Sequence, residues 1–356
     1  MSLIRLLRLA CAAAALALAL AFAACGSDDD SSETSAAAAP ATTGATTAAA
    51  DAFPVSVRHK FGVTEVPAEP KRIVSVGLTE HDTVLALGFR PVAITDWYGD
   101  QPGGVWPWAK EALGDERPVL LSSSDGFEFE RIAALQPDLI LGTNSGMRKG
   151  DYDKLSALAP TIAAAEGGSD YFSPWDGQVE LIAQALGRAD EGRALVEQVR
   201  QQFADAAEQH PEFAGKTISF NQNGFYDGLI YSYPDGLNTE FLTYLGFRID
   251  PRVTRLASRP GEQVGVSAER LDVLDADVAL FATERDEDVA RLLKVPTFKS
   301  LRAVSGNHAV YTDGTLSGAM YFMTPLSLGY VAEKLPEQLA LAVEGRAPRE
   351  LVGGEG

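Results

Sequence analysis

The sequence has few of the residues on which disulfide-stabilised and metal-binding proteins depend. It contains 2 cysteines and 4 histidines. Cys11 lies in an apolar N-terminal stretch, so the rest of the chain keeps Cys25 alone and cannot form an internal disulfide. The histidines are widely dispersed, at His59, His81, His210 and His308. Direct capture of a metal ion needs several converging ligands, so this distribution argues against it.

The motifs of common enzymes are also absent from the sequence. It contains no Gly-x-Ser-x-Gly elbow, no P-loop and no Gly-x-Gly-x-x-Gly fingerprint. A hydrolytic enzyme therefore remains only a distant alternative, and we expect no catalytic residues and no cofactor. The formal net charge of −19 argues against general nucleic-acid binding, which needs a basic face. It still allows an anionic ligand, because a local cluster of arginines can override the mean charge.

The first 24 residues predict a signal peptide. Arg5 and Arg8 precede an apolar stretch of 15 residues, 10–24, which is shorter than the ~20 needed to span a bilayer. Cys25 follows at once, which resembles a bacterial lipoprotein signal whose cysteine becomes the lipidated N-terminus. An ordinary secretory signal cleaved near Ala23 is the alternative. Residues 25–52, rich in Ser, Ala, Thr and Asp, predict a flexible tether.

An internal echo is the most informative pattern in the remaining chain. Leu87-Gly88-Phe89-Arg90 recurs as Leu245-Gly246-Phe247-Arg248. A second pair follows, in which a glutamate precedes an aspartate by eight residues: Glu130 before Asp138, and Glu269 before Asp277. The simplest explanation is two related α/β lobes in tandem, and a cleft between lobes is a common place for small ligands.

Short apolar strands, at 72–76, 91–95 and 139–141 and again at 217–220 and 278–281, alternate with helices, which indicates α/β lobes with a parallel sheet covered on both faces. Pro336 is expected to kink or break the last helical stretch, over 324–343. The periodicity predicts one longer helix, over about 189–209, that at 1.5 Å per residue spans about 30 Å. We therefore expect an N-terminal lobe over 53–188, a connecting helix over 189–210, a C-terminal lobe over 211–346 and a disordered tail over 347–356. The stretch from Asp250 to Gln263 is expected to be an irregular loop.

The stretch from Gly62 to Val74 resembles the start of the iron-siderophore and vitamin B12 solute-binding proteins of ABC importers. The resemblance extends over about residues 53–345 and includes the segments 83–88, 130–141 and 298–311. It implies two three-layer α/β lobes joined by a single long helix, a non-enzymatic protein, and a ferric siderophore as the ligand, with the iron held by the siderophore.

In that family an acid on an early helix of each lobe docks against arginines of the membrane permease. The resemblance carries this role to Asp82 and Glu240, each six residues before the glycine that ends its helix, with Glu80 as a neighbouring substitute. A carboxylate paired with an arginine fork is a strong, charge-assisted contact.

The ligand site is predicted from the loops that follow the strands, because ligands of open α/β sheets bind beyond the carboxyl ends of the strands. Aromatic faces and guanidinium groups suit a rigid, often anionic chelate. These criteria select Trp97, Tyr98, Trp106, Trp108, Arg148, Tyr226, Arg252, Arg255, Arg259 and Tyr321.

The sequence thus predicts an exported, monomeric solute-binding protein that is lipid-anchored at Cys25 to the outer face of the cytoplasmic membrane. We expect it to deliver a ferric siderophore to an ABC permease and, through the permease, its ATPase. Cobalamin or haem is the alternative ligand. For haem, an axial ligand could come from Tyr226, Tyr231 or Tyr321.

Overall fold

The computed structural model describes residues 52–352, apart from 123, 169, 170, 172 and 260. The predicted signal peptide, Cys25, nearly all of the predicted tether and the last four residues lie outside the described part. Within that part, no helix combines the length and apolar character that a membrane span requires.

The first sheet has five parallel strands in the order β5-β4-β3-β6-β7. Its strands are β3 (Ile73–Ser75), β4 (Ala93–Asp96), β5 (Val119–Ser122), β6 (Leu139–Gly142) and β7 (Thr161–Ala163). Four helices lie between them: α1 (Glu80–Ala86), α2 (Pro107–Leu113), α3 (Phe129–Ala134) and α4 (Lys149–Ser156). All residues of β3, β6 and β7 are buried, as expected for a parallel sheet covered on both faces.

An antiparallel hairpin precedes this sheet. It consists of β1 (Val55–His59) and β2 (Gly62–Val66). Val57 and Val66 are fully buried against the first lobe, so the hairpin covers part of its core.

Two helices lead from the first sheet to the second, α5 (Trp175–Ala185) and α6 (Ala189–Gln209). The 21 residues of α6 match the predicted connecting helix. Val196, Val199 and Phe203 are buried along one side of α6, in a core shared with the second sheet. Stability of such a helix comes mainly from packing of this apolar stripe.

The second sheet is mixed, with the order β11-β9-β8-β12-β13-β14, and β10 also pairs with β8. Its strands are β8 (Thr217–Tyr226), β9 (Leu229–Tyr233), β10 (Arg248–Ile249), β11 (Val264–Ser267), β12 (Val278–Ala282), β13 (Ala309–Thr312) and β14 (Leu351–Val352). β9 and β11 run antiparallel to their neighbours, so the expected parallel sheet occurs in the first lobe but not in the second.

The helices of the second half are mostly short. They are α7 (Glu240–Tyr244), α8 (Pro251–Thr254), α9 (Asp286–Leu292), α10 (Pro296–Lys299), α11 (Arg302–Ser305), α12 (Gly314–Phe322), α13 (Pro325–Lys334) and α14 (Pro336–Val343). Ala268–Leu274 forms a 3₁₀ helix. Pro336 separates α13 from α14 because proline cannot continue the backbone hydrogen-bond ladder of the preceding helix.

The internal echo has a structural cause. Gly88 and Gly246 both take positive φ angles, 83° and 97°, just after α1 and α7. In both copies the following phenylalanine N–H donates to a carbonyl five residues earlier, at 3.0 and 3.2 Å. Only a residue that tolerates positive φ fits this helix ending, so the glycine recurs.

The two aspartates of the echo also perform the same task. Asp138 accepts the backbone N–H groups of Lys71 and Arg72, both at 2.8 Å, just before β3. Asp277 accepts the backbone N–H and the hydroxyl of Thr217, at 2.8 and 2.9 Å, at the start of β8. Each carboxylate thus fixes the start of the central strand of its sheet.

After β13 the chain returns from the second sheet to the first lobe. Helix α13 packs against α6 and also against α1 and α2 of the first lobe. At its start, the Thr324 hydroxyl donates to Asp82 Oδ2 at 2.6 Å. The two lobes are therefore connected twice, by α6 and by the segment 314–334.

Two expectations about the second half are wrong. The segment 250–263 is not wholly irregular, because Asp250 caps α8 by accepting the backbone N–H of Arg252 at 2.8 Å. The tail is ordered as far as residue 352, since Leu351–Val352 pairs in parallel with Tyr311–Thr312 of β13. The boundaries of the lobes at 188/189 and 210/211 stay a prediction.

Candidate ligand-binding cleft

A cleft of about 600 Å³ lies where the loops after β4 and β12 meet β8, β9 and α12. It is lined by Trp97, Tyr98, Phe220, Gln222, Asn223, Tyr226, Tyr233, Asn238, Gly261, Gln263, Glu284, Met320 and Tyr321. This volume is within the range of pockets that enclose small molecules. Its position beyond the carboxyl ends of β4 and β12 is the one expected for ligands of open α/β sheets.

Aromatic rings form the continuous apolar surface of the cleft. Trp97 and Tyr98 come from the first lobe, directly after β4, with ring centroids 5.5 Å apart. Tyr321 on α12 lies 6.2 Å from Tyr98 and 6.2 Å from Tyr233 of β9. Tyr233 in turn stacks on Phe220 of β8 at 4.7 Å. The cluster therefore extends from one lobe to the other.

The hydroxyl of Tyr98 is buried and has no hydrogen-bond partner among the described residues. Burial raises the pKa of Tyr98, and the nearby charge of Glu284 adds to this effect, so the phenol keeps its proton. A buried hydroxyl without a partner costs about 1–3 kcal/mol. An oxygen atom of a ligand in the cleft could accept this hydrogen bond and remove that cost.

Neutral polar side chains and one acid complete the lining. Gln222 donates to Gln263 Oε1 at 3.3 Å, and the Tyr226 hydroxyl donates to Asn223 Oδ1. Glu284 lies two residues beyond the end of β12. Burial raises its pKa, and the neighbouring Asp288 adds to the increase. The cleft thus offers amide donors and acceptors, phenols and one carboxyl group.

Four of the predicted ligand residues line this cleft: Trp97, Tyr98, Tyr226 and Tyr321. Tyr226 is 48% exposed at the rim, whereas Tyr321 is largely buried and burial raises its pKa. Their direct contact with a ligand stays a prediction.

Trp106 and Trp108 have a different role from the predicted one. Their rings stack at 5.0 Å, and both lie edge-on to Phe322 of α12. Trp106 is only 3% exposed, and neither ring lines the cleft. Helix α2, which begins at Pro107, was not predicted in this glycine-rich stretch. It places both tryptophans between the first lobe and α12.

The four predicted arginines do not line the cleft. Arg252 binds Asp250 and donates to the carbonyls of Asp272 and Asp275 at 2.9 and 2.8 Å, so it holds α8 against the neighbouring 3₁₀ segment. The other three are exposed: Arg148 next to α4, Arg255 at the end of α8, and Arg259 beyond it. Contact of these arginines with a ligand stays a prediction.

Asp82 is not available for docking. Its side chain is 0% exposed, and Oδ2 accepts hydrogen bonds from Trp108 Nε1 at 2.8 Å and from the Thr324 hydroxyl at 2.6 Å. Oδ1 lies 3.6 Å from His81 Nε2. Burial raises the pKa of Asp82 and lowers the pKa of His81. The predicted permease contact at Asp82 is wrong, because this carboxyl ties the first lobe to α13.

The other two docking candidates are also less accessible than expected. Glu80 is buried, and its carboxylate accepts the backbone N–H of Asn144 at 2.6 Å. Glu240 is half-buried and accepts the Tyr244 hydroxyl at 3.1 Å. Burial raises the pKa of Glu240. Docking of Glu240 to the permease stays a prediction, although its counterpart in the first lobe, Asp82, is buried.

Seven lining side chains were not predicted from the sequence: Phe220, Gln222, Asn223, Tyr233, Asn238, Gln263 and Glu284. Gln222 and Glu284 could have been found, because each follows a predicted strand of the second lobe at the carboxyl end. Gln263 and Asn238 carried no such signal. No cluster of three or more potential metal ligands occurs among the described residues.

The family described as periplasmic binding protein matches residues 73–316. The chain is 28% identical over 302 residues to the probable siderophore-binding lipoprotein YfiY of Bacillus subtilis strain 168, which covers 78% of this chain and 88% of that protein.

Two solved structures share the fold over nearly their full length. A periplasmic solute-binding protein of Mycobacterium smegmatis has a TM-score of 0.76 and 39% identity, covering 81% of this chain and 98% of that one. PiaA of Streptococcus pneumoniae, solved in complex with ferrichrome, has a TM-score of 0.69 and 26% identity, covering 82% of this chain and 99% of that one.

Proposed function

The chain belongs to the periplasmic binding protein family, and from this we propose that it captures a ferric siderophore outside the cell membrane and delivers it to an ABC importer. The aromatic cleft carries the proposal, because one space is lined by Trp97 and Tyr98 of the first lobe and by Tyr233 and Tyr321 of the second. Aromatic faces and a free phenolic donor suit a compact chelate with many oxygen atoms. PiaA, which was solved with ferrichrome, supports this ligand class.

Binding can be measured through the tryptophan fluorescence of the protein, because Trp97 lines the cleft. We expect a panel of ferric siderophores to include at least one ligand that quenches the fluorescence with a dissociation constant below about 1 μM, or about −8 kcal/mol. Trp97→Phe should remove much of the quenching. For the wild type, isothermal titration should give the same dissociation constant as the fluorescence titration. Absence of heat and quenching across the whole panel would contradict the proposal.

Haem is the second candidate, because a phenol could bind its iron. Tyr226 and Tyr321 both line the cleft, whereas Tyr231 does not. Titration with haemin should then give a tyrosinate charge-transfer band that Tyr226→Phe removes. Cobalamin belongs in the same panel, and tighter binding of either compound than of every siderophore would reassign the ligand.

For docking to the permease, Glu130 and Glu269 replace Asp82 as candidates. They form the remaining part of the echo, and they are exposed in the first turn of the helical segments after β5 and β11. The echoed glycines and aspartates each have a structural task, whereas these acids face solvent. Exposed carboxylates at equivalent places on two lobes suit arginines of a two-fold permease.

The double variant Glu130→Gln plus Glu269→Gln tests this role. We expect it to retain its affinity for the siderophore and to lose stimulation of the importer's ATPase in vesicles. The exposed pair Glu197→Gln plus Glu208→Gln on α6 removes the same charge and should leave stimulation intact. Normal stimulation by the first variant would refute this docking site.

Anchoring at Cys25 completes the proposal, although this residue lies outside the described part. Cys25→Ala should release the protein from the membrane fraction while the binding affinity stays unchanged. Mass spectrometry should find a diacylglyceryl group on Cys25 of the wild-type protein. A wild-type N-terminus without lipid would instead support an ordinary secretory signal.

A further inference from the structure

The charged groups that line the cleft indicate which ferric siderophores it can bind. This inference rests on the proposed function. Among the described lining residues, Glu284 is the one with a charged side chain, and none is Lys, Arg or His. The other polar groups are the four amides Gln222, Asn223, Asn238 and Gln263 and the phenols. A site built for a polyanion would present guanidinium or ammonium groups.

Glu284 is held in place by the loop after β12. Its backbone N–H donates to Asp288 Oδ2 at 3.0 Å, and the preceding Thr283 hydroxyl donates to the carbonyl of Thr312 at 2.7 Å. Glu284 lines the same cleft as Tyr98 and Tyr321. The acid therefore belongs to the binding surface.

The cation nearest to this acid, Arg285, does not line the cleft. Arg285 Nη2 lies 3.7 Å from Glu284 Oε2, but its guanidinium is largely exposed and also lies 4.0 Å from Asp288. Asp288 is additionally paired with Arg291. Arg259, two residues before the lining residue Gly261, is exposed and does not line the cleft.

The charge of a ferric chelate depends on its donor groups. Three hydroxamates carry one negative charge each and cancel Fe³⁺, so a trihydroxamate core is uncharged. Three catecholates carry two each and leave a trianion, and citrate chelates are also anionic. We propose that this cleft selects uncharged or cationic ferric trihydroxamates and rejects catecholate and carboxylate chelates, with Glu284 as the residue that sets this preference.

The neutral groups of the cleft agree with this choice. Hydroxamates and the backbones that link them present carbonyl oxygens and N–H groups, which pair with side-chain amides without a net charge on either side. The Tyr98 hydroxyl, buried without a partner, can donate to such an oxygen. A carboxylate at the same wall would attract a protonated amine on the ligand.

The test compares three probes: ferrioxamine B, which carries one free ammonium group, the uncharged ferrichrome, and trianionic ferric enterobactin. Affinities are measured by isothermal titration for the wild type, for Glu284→Gln and for the control Glu197→Gln on the exposed side of α6. We expect the wild type to bind the two hydroxamates at least 100-fold more tightly than ferric enterobactin.

Glu284→Gln should weaken ferrioxamine B roughly tenfold, as expected for one unit charge about 6 Å away at intermediate dielectric. It should change ferrichrome by less than threefold and strengthen ferric enterobactin, while Glu197→Gln changes none of the three. The inference would be overturned if the wild type bound ferric enterobactin more tightly than the two hydroxamates, or if Arg259→Gln abolished binding of ferric enterobactin. Either result would still agree with the proposed capture of a siderophore. Failure of all three probes, together with the rest of the panel, would instead remove the proposed function.

Discussion

Replacing Asp82 tests whether this acid joins the lobes or contacts a permease. In Asp82→Ala, Trp108 Nε1 and the Thr324 hydroxyl lose their common acceptor, which now lies 2.8 and 2.6 Å away. Each unpaired buried donor costs about 1–3 kcal/mol, so the two together cost about 2–6 kcal/mol. Burial raises the pKa of Asp82, so its removal also relieves a desolvation penalty. We therefore expect a net loss of about 2–4 kcal/mol.

Asp82→Asn is the matched control. Its amide oxygen can accept from both donors, and its NH₂ group would face His81 Nε2, which lies 3.6 Å from Asp82 Oδ1. We expect Asn to cost less than about 1 kcal/mol. In thermal unfolding, the Ala variant should lose about 4–8 °C and the Asn variant less than about 2 °C, at about 2 °C per kcal/mol for a chain of this size. An Ala variant with a wild-type Tm that no longer stimulates the permease would refute this reasoning and restore the docking role.

Three further outcomes follow from the contacts described above. Gly318→Ala should destabilise the protein by about 1–3 kcal/mol, because the new Cβ would lie 2.6 Å from the Trp106 ring. Gly150→Ala in α4 has open space around the new Cβ and should be neutral or stabilising. Urea unfolding of both variants tests this, and equal midpoints would contradict the packing argument. Asp277→Asn should cost roughly 1 kcal/mol at neutral pH, since its partly exposed carboxylate accepts two hydrogen bonds from Thr217. Those bonds lower the pKa of Asp277, so its contribution to stability is present above the ordinary pKa of an aspartate and is lost as pH falls through the lowered pKa. The difference in unfolding free energy between the variant and the wild type should therefore shrink in acid. Small-angle scattering should show no large compaction on ligand addition, and a clear decrease in the radius of gyration would contradict the double connection between the lobes.

Periodic and end-capping signals in the sequence predicted much of the fold. Helix α6 was predicted with its observed bounds because a long apolar stripe is a local pattern. The break at Pro336 and the strands that include Leu139 and Val278 were predicted for the same reason. Burial of Asp82 could not be predicted, because it depends on Thr324, which is 242 residues away in the chain.

The candidate site shows the same division. Trp97 and Tyr98 directly follow a predicted strand, so strand-end reasoning found them. Trp106 follows the same strand, yet it is buried because α12 returns to cover it. Arginine content alone did not place these side chains, since Arg252 is used to hold backbone carbonyls rather than to face the cleft.

The return of segment 314–334 to the first lobe has a mechanical consequence. A two-lobed binding protein with a single flexible hinge changes its overall shape when the ligand binds, and a membrane partner can recognise that change. Here rotation of either half would strain two bridges at once, α6 and the helix pair α12–α13. We therefore expect the empty and the ligand-bound forms of the protein to have nearly the same overall shape.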